Sequence, residues 1–124
     1  MPELDPTGHL LTTPEFLEGV REGKLQEWTV LLNAHLEKAD LRGANLAKTI
    51  LKSVDLRGAN LSGARLQDAI WMYVDLTDAD LSSADLTDVA LFNCTLYGAD
   101  LRGARGPKLQ CVDSDLSTAR LDGS

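Results

Sequence analysis

Ala39-Asp40-Leu41-Arg42-Gly43-Ala44-Asn45-Leu46 and Val54-Asp55-Leu56-Arg57-Gly58-Ala59-Asn60-Leu61-Ser62-Gly63-Ala64-Arg65-Leu66 decide the fold of this 124-residue chain. In both stretches a leucine returns at every fifth residue, with alanine or valine two places before it. Extended in each direction, the period holds without a slip from Ala34 to Gly123. Its centres are Leu36, Leu41, Leu46, Leu51, Leu56, Leu61, Leu66, Trp71, Leu76, Leu81, Leu86, Leu91, Leu96, Leu101, Gly106, Cys111, Leu116 and Leu121. Fifteen of the eighteen are leucine, and eleven of the eighteen residues two places earlier are alanine. A helix does not satisfy this pattern: at about 100° per residue successive centres fall about 140° apart and form no stripe. A plain strand fails too, because an odd period throws alternate leucines onto opposite faces. The pattern closes if each unit makes one short side and a corner, with the centre and the residue two before it pointing inward. Short fixed periods of this kind belong to β-helical solenoids.

These stretches resemble the pentapeptide-repeat family. The resemblance implies an all-β solenoid, a right-handed four-sided (quadrilateral) β-helix with four units per coil. It covers 90 of 124 residues in eighteen units, about four and a half coils. Residues 34–124 are thus expected to form the β-helix and residues 1–33 an N-terminal tail and helical cap. Met1 to Leu11 reads as a disordered or loosely docked tail. Thr12-Thr13-Pro14-Glu15 starts a helix in one of two registers. Thr12 as N-cap forms a capping box with Glu15 and a staple of Leu11 on Phe16; Thr13 as N-cap puts Pro14 at the favoured first position. The helix runs to about Arg21 and ends at Gly23. A second helical stretch is expected from Lys24 to Leu32, because Leu25, Trp28 and Leu32 then share one face. Helices here serve as a cap, since the first coil otherwise exposes its bore and a row of unpaired backbone groups.

Inside the solenoid, leucines twenty residues apart stack at about the 4.8 Å strand spacing, giving ladders such as Leu41, Leu61, Leu81, Leu101 and Leu121. Glycine closes the unit at Gly43, Gly58, Gly63, Gly98, Gly103 and Gly123, which suits the positive-φ site of a type II turn. Aspartate or asparagine precedes the centre in nine units, where a short polar side chain bonds nearby backbone. Three centres depart from the pattern. Trp71 is large for a bore built for leucine and either swells the coil or leaves the interior. Gly106 with Pro107 removes a core side chain and a donor together, so a bulge or bent corner is expected between Gly103 and Lys108. Cys111 is small, with Leu109 placed to fill the gap. Cys94 and Cys111 both fall at inward positions and behave as small hydrophobes.

Written four units to a coil, three faces are polar and one is not. The units beginning at Thr49, Ala69, Val89 and Leu109 direct outward Ile50, Ile70, Met72, Ala90, Phe92 and Val112, together with Lys52 and Gln110. Tyr73 lies at the adjoining corner. An apolar wall of this kind on a monomer marks a contact surface unless the N-terminal segment covers it. Ile50, Ile70, Met72, Tyr73, Phe92 and Val112 are therefore the candidate interface, for a homodimer or for another protein.

The net charge is −7. Between Arg65 and Arg102 there is no basic residue, while Asp68, Asp75, Asp78, Asp80, Asp85, Asp88 and Asp100 form an acidic belt. Direct nucleic-acid binding is disfavoured. No 18-residue apolar run and no leader-like N-terminus are present, and two cysteines make no disulfide framework, so a cytoplasmic protein without membrane contact is expected. No enzyme signature, cofactor motif or phosphate loop appears. His9 and His35 have no cysteine or carboxylate at ligand spacing along the chain, so no metal is expected. These features point to a non-catalytic protein–protein interaction scaffold, its partner unspecified. Some members of the family it resembles protect or inhibit DNA gyrase with an acidic rod similar to duplex DNA. The resemblance therefore implies an alternative, a DNA-mimicking inhibitor or protector of a topoisomerase such as gyrase. This chain is shorter than those proteins and lacks their long loop insertions.

Overall fold

The computed structural model describes residues 10–120. One helix, α1 (Thr13–Glu22), precedes five three-residue strands: β1 (Val30–Leu32), β2 (Ile50–Lys52), β3 (Ile70–Met72), β4 (Ala90–Phe92) and β5 (Gln110–Val112). The strands form one parallel sheet in sequence order, each residue pairing with the one twenty places on. Isolated parallel bridges continue the same twenty-residue register on the other three sides, as in His35–Asp55–Asp75–Thr95–Asp115 and Asp40–Asn60–Asp80–Asp100–Arg120. The result is a four-sided parallel β-solenoid with one short helix at its start.

The interior is the bore that the five-residue period predicts. Leu41, Leu61, Leu81 and Leu101 are buried, as are Ala59, Ala79 and Ala99 two places before the later centres on their face, while Ala39 in the first coil is half-buried; Leu121 lies outside the described residues. Trp71 stays inside and is only 1% exposed. Its Nε1 donates to the hydroxyl of buried Thr49 at 3.1 Å, while that hydroxyl donates to the Leu46 carbonyl at 2.8 Å. The large ring is tolerated because its one polar atom finds a partner and its in-unit neighbour is the small Ala69.

Every fifth residue from Trp28 to Thr118 has a positive φ, and only Gly43, Gly58, Gly63, Gly98 and Gly103 among them are glycine. On three sides these corners are turns closed by a hydrogen bond, for example from Ala44 N to Leu41 O at 3.1 Å. The expected bulge near Gly106 does not occur. Pro107 takes the second position of such a turn, closed from Leu109 N to Gly106 O at 3.1 Å, with Lys108 at φ 62°. At that position other units donate the N–H to an aspartate or asparagine one place before the centre. Arg105 offers no such acceptor, so proline forfeits nothing there. The Leu109 side chain closes on the space that Gly106 leaves.

α1 adopts the Thr12 register: Thr12 caps it, Thr12 and Glu15 form the reciprocal box, and Gly23 ends it at φ 67°. Phe16 is buried in the core, and Leu17 and Val20 line a cleft with Leu41 and Ala44, so the helix closes the end of the bore. The second helix expected over Lys24 to Leu32 is absent. That stretch is a turn followed by β1, the first strand of the sheet. Leu31 is a buried centre and Thr29 a buried inward residue whose hydroxyl donates to Gln26 O at 2.7 Å, repeating Thr49 twenty residues later. β-Branched Thr29 and Val30 favour the strand, and pairing with β2 outweighs the helical spacing of the leucines. Of the proposed cap residues, Leu25 is half-buried against the core, Leu32 stands on β1, and Trp28 is a corner residue 41% exposed. Of the tail, the described part is Leu10 and Leu11; Leu10 bridges Val30 and Leu11 N donates to Val30 O at 3.0 Å.

Candidate interaction surface on the sheet face

The five true strands coincide with the apolar side of the prism. Strand register aligns two outward columns along the axis. The first is Val30, Ile50, Ile70, Ala90 and Gln110; the second is Leu32, Lys52, Met72, Phe92 and Val112. The wall thus brings together Ile50, Ile70, Met72, Phe92 and Val112, and it gains Val30 and Leu32 from the strand that helical spacing concealed. Counting back twenty residues from Ile50 and Lys52 finds both. Val112 is 43% exposed and Tyr73, on the exit corner, 59% exposed; Trp28 stands on the entry corner. Ile50, Ile70, Met72 and Phe92 are half-buried by their stacked neighbours. α1 sits over the end of the bore and does not lie along the strands.

The other faces spend their polar atoms on themselves. Asp75 Oδ1 accepts from the Thr77 N–H at 3.0 Å and its hydroxyl at 2.6 Å; Asp80 does the same for Ser82 and Asp85 for Thr87. Arg102 donates through Nε and Nη2 to Asp100 at 2.9 and 2.7 Å and holds its carboxyl down at about 2. Arg57 lowers Asp55 in the same way, and Arg42 lowers Asp40. The acidic belt therefore spreads over three faces. Its members next to the centres complete their own corners, and Asp68, Asp78 and Asp88 stand at corners.

Stacking also assembles a cluster that spacing along the chain conceals. His35, Glu37 and Asp55 bring ligand-type atoms within 4.8 Å of one another, since His35 and Asp55 are bridge partners in adjacent coils. The expectation that no carboxylate stands at ligand spacing from a histidine is thus corrected. The cluster is already occupied by a cation of the chain: Arg57 Nη2 lies 2.6 Å from Asp55 Oδ2 and 3.8 Å from Glu37 Oε2. The two thiols are free, and burial pushes both upward away from the reactive thiolate. No helix among the described residues is long and apolar enough to cross a membrane.

The family model for pentapeptide repeats matches residues 29–68, 59–96 and 84–123. Among solved structures, the chain is similar to HetL, a pentapeptide repeat protein involved in heterocyst differentiation regulation from the cyanobacterium Nostoc sp. strain PCC 7120. The two are 30% identical over 80% of this chain and 50% of HetL, with a TM-score of 0.65. It is also similar to QnrB1, a plasmid-mediated fluoroquinolone resistance protein, at 21% identity over 76% of this chain and 61% of that one, with a TM-score of 0.62. Rfr23 from the cyanobacterium Cyanothece 51142 matches at 18% identity over 89% of this chain and 92% of its own, with a TM-score of 0.57. The chain thus spans half the length of HetL and less than two thirds of QnrB1. No curated protein sequence matches it significantly.

Proposed function

The chain belongs to the pentapeptide-repeat family, and from that premise we propose that it is a non-catalytic protein-interaction scaffold whose contact surface is the apolar sheet face. The observation that carries this reading is the alignment of Ile50, Ile70, Met72, Phe92 and Val112 on the one side whose outward side chains, among the described residues, make no bond to their own corners. A rigid prism with one apolar wall and three self-satisfied polar walls is built to be held by one side. The free thiols suit a cytoplasmic location. Mimicry of duplex DNA toward a topoisomerase is the alternative. It rests on the acidic belt, but four of the belt's seven aspartates, Asp75, Asp80, Asp85 and Asp100, make the hydrogen bonds that close their own corners. The likeness to QnrB1, at 21% identity, is a likeness of fold.

The test places one charge on the wall and one beside it. Phe92→Asp puts a carboxylate at the centre of the contact, whereas Tyr97→Asp puts one on the neighbouring polar face. Association, read as self-association by sedimentation and as capture of a protein from the native host, is expected to survive Tyr97→Asp and to be lost in Phe92→Asp. Equal behaviour of both variants and the parent in both assays overturns the reading. A gyrase supercoiling assay checks the alternative, which requires inhibition or protection by the parent.

A further inference from the structure

We propose that the occupant of the wall is a second copy of this chain, laid antiparallel across a two-fold axis that runs along β3. This rests on the wall being the contact surface and goes further by naming what meets it. A two-fold axis in the plane of the wall, parallel to the strands, sets β3 on the partner's β3, β2 on its β4 and β1 on its β5. Each outward column then faces the same column of the partner, read in reverse order.

Under that operation the side chains complement one another. Ile50 falls opposite the partner's Ala90, large against small. Lys52, the one charge inside the wall, falls opposite the partner's Phe92, where its ammonium meets a ring face. On the entry corner Lys48 meets the partner's Asp88, and exposed Trp28 meets the partner's Lys108. Each pairing occurs twice by symmetry. Asp68, Asp88, Lys52 and Lys108 form no ion pair among the described residues, and Lys48 holds only Glu27, at 3.1 Å, with donors to spare. A parallel arrangement instead sets Lys48 against the partner's Ser53 and Lys52 against the partner's Ile50, leaving both charges unmatched. One contact opposes the antiparallel pair: Asp68 meets the partner's Asp68 at the axis.

The dimensions make this a reversible contact. Five rungs at about 4.8 Å and five residues across at about 3.3 Å give a face of roughly 400 Å² per copy, about half of what a standard stable interface uses. A dissociation constant in about the tens to hundreds of micromolar is expected, and such a dimer leaves the wall available to a tighter partner.

Sedimentation velocity over a concentration series to about 1 mM, at low salt, tests the arrangement. The parent should shift reversibly from monomer to dimer. Lys48→Asp and Asp88→Lys should each weaken the dimer about tenfold or more, since every reversal creates two like-charge contacts. The double variant should recover to within about threefold of the parent. Asp68→Asn should tighten the dimer several-fold by removing the repulsion at the axis. Circular dichroism confirms that these corner variants remain folded. Since Lys48→Asp also releases Glu27, rescue by the double variant and the effect of Asp88→Lys alone carry the decision. A parent that stays monomeric throughout, or a dimer indifferent to charge reversal and to Asp68→Asn, overturns the proposal. If the parent is monomeric but captures a host protein through Phe92, the second copy falls and the scaffold reading stands. If neither association depends on Phe92, both fall.

Discussion

The sheet face and the three polar faces share one bore, one period and one left-handed corner, yet they differ in what the residue before the centre does. On the polar faces that residue is often aspartate or asparagine. Its side-chain oxygen accepts from the backbone two places on, and a closing bond from Ala44, Ala64 or Ala84 tightens the corner. On the sheet face the residue is Val30, Ile50, Ile70, Ala90 or Gln110, and no corresponding bond closes the corners after Leu31, Leu51, Trp71 or Leu91. There the backbone relies on pairing between coils, which is why only this side forms true strands. Polar faces tie their outward side chains into their own corners; the outward side chains of the sheet face form no such bonds among the described residues.

If the faces differ only on the outside, the interior must be indifferent to which face a centre belongs to. Leu81→Ala, on a polar face, and Leu91→Ala, on the sheet face, should then each cost about 2–5 kcal/mol by chemical denaturation. A much smaller loss for Leu91→Ala would mean that the open-cornered side is loosely packed and would break the comparison. Thr49→Val sharpens it from within. The substitution keeps the shape but strands the buried Trp71 Nε1, at a cost of about 1–3 kcal/mol, read from the urea midpoint and the indole fluorescence. The smallest effect should be confined to acid. Arg42, Arg57, Arg102, Thr87 and Ser117 hold Asp40, Asp55, Asp100, Asp85 and Asp115 below the usual carboxylate range, so the unfolded chain binds their protons first. Their contribution is complete above an unfolded pKa of about 3.9 and is lost as the pH falls through the folded values, about 2 for Asp100. Melting temperatures from pH 7 to pH 2 should therefore be level and then decline steeply. Asp100→Asn should make that decline shallower, and an unchanged acid limb would show that the polar faces do not lean on these carboxylates.

Much of this was legible because a period of five is indifferent to tertiary context. Leucine every fifth residue, alanine two before it and four units per turn place Ile70 over Ile50 without knowledge of any contact. The helix start was legible to within one residue for a similar reason, since Thr12 and Glu15 form a local device, although Pro14 left Thr13 open as a rival cap. What escaped was local evidence that meant something else in the stack. Leu25, Trp28 and Leu32 have helical spacing, but Thr29-Val30-Leu31 is a repeat unit without its alanine and aspartate, and its partner β2 decides the matter. Pro107 looked like an interruption because proline usually deprives a strand of a donor; in a corner whose second N–H has no acceptor, it interrupts nothing. The meeting of His35 and Glu37 with Asp55 was hidden because Asp55 reaches them only through the twenty-residue coil, across which one-dimensional spacing is blind.

The twenty-residue coil also makes the prism a counting device. Insertion of one five-residue unit between Met72 and Ala90 advances everything downstream by a quarter turn, carrying Phe92 and Val112 off the wall and onto a polar side. Insertion of four units restores the phase and merely lengthens the wall by one rung. Changes of length in this molecule are thus not graded by size: five residues scramble the surface that twenty leave intact, although each leaves the leucine bore unbroken. The wall can be passed on, extended or shortened only in whole turns of the screw.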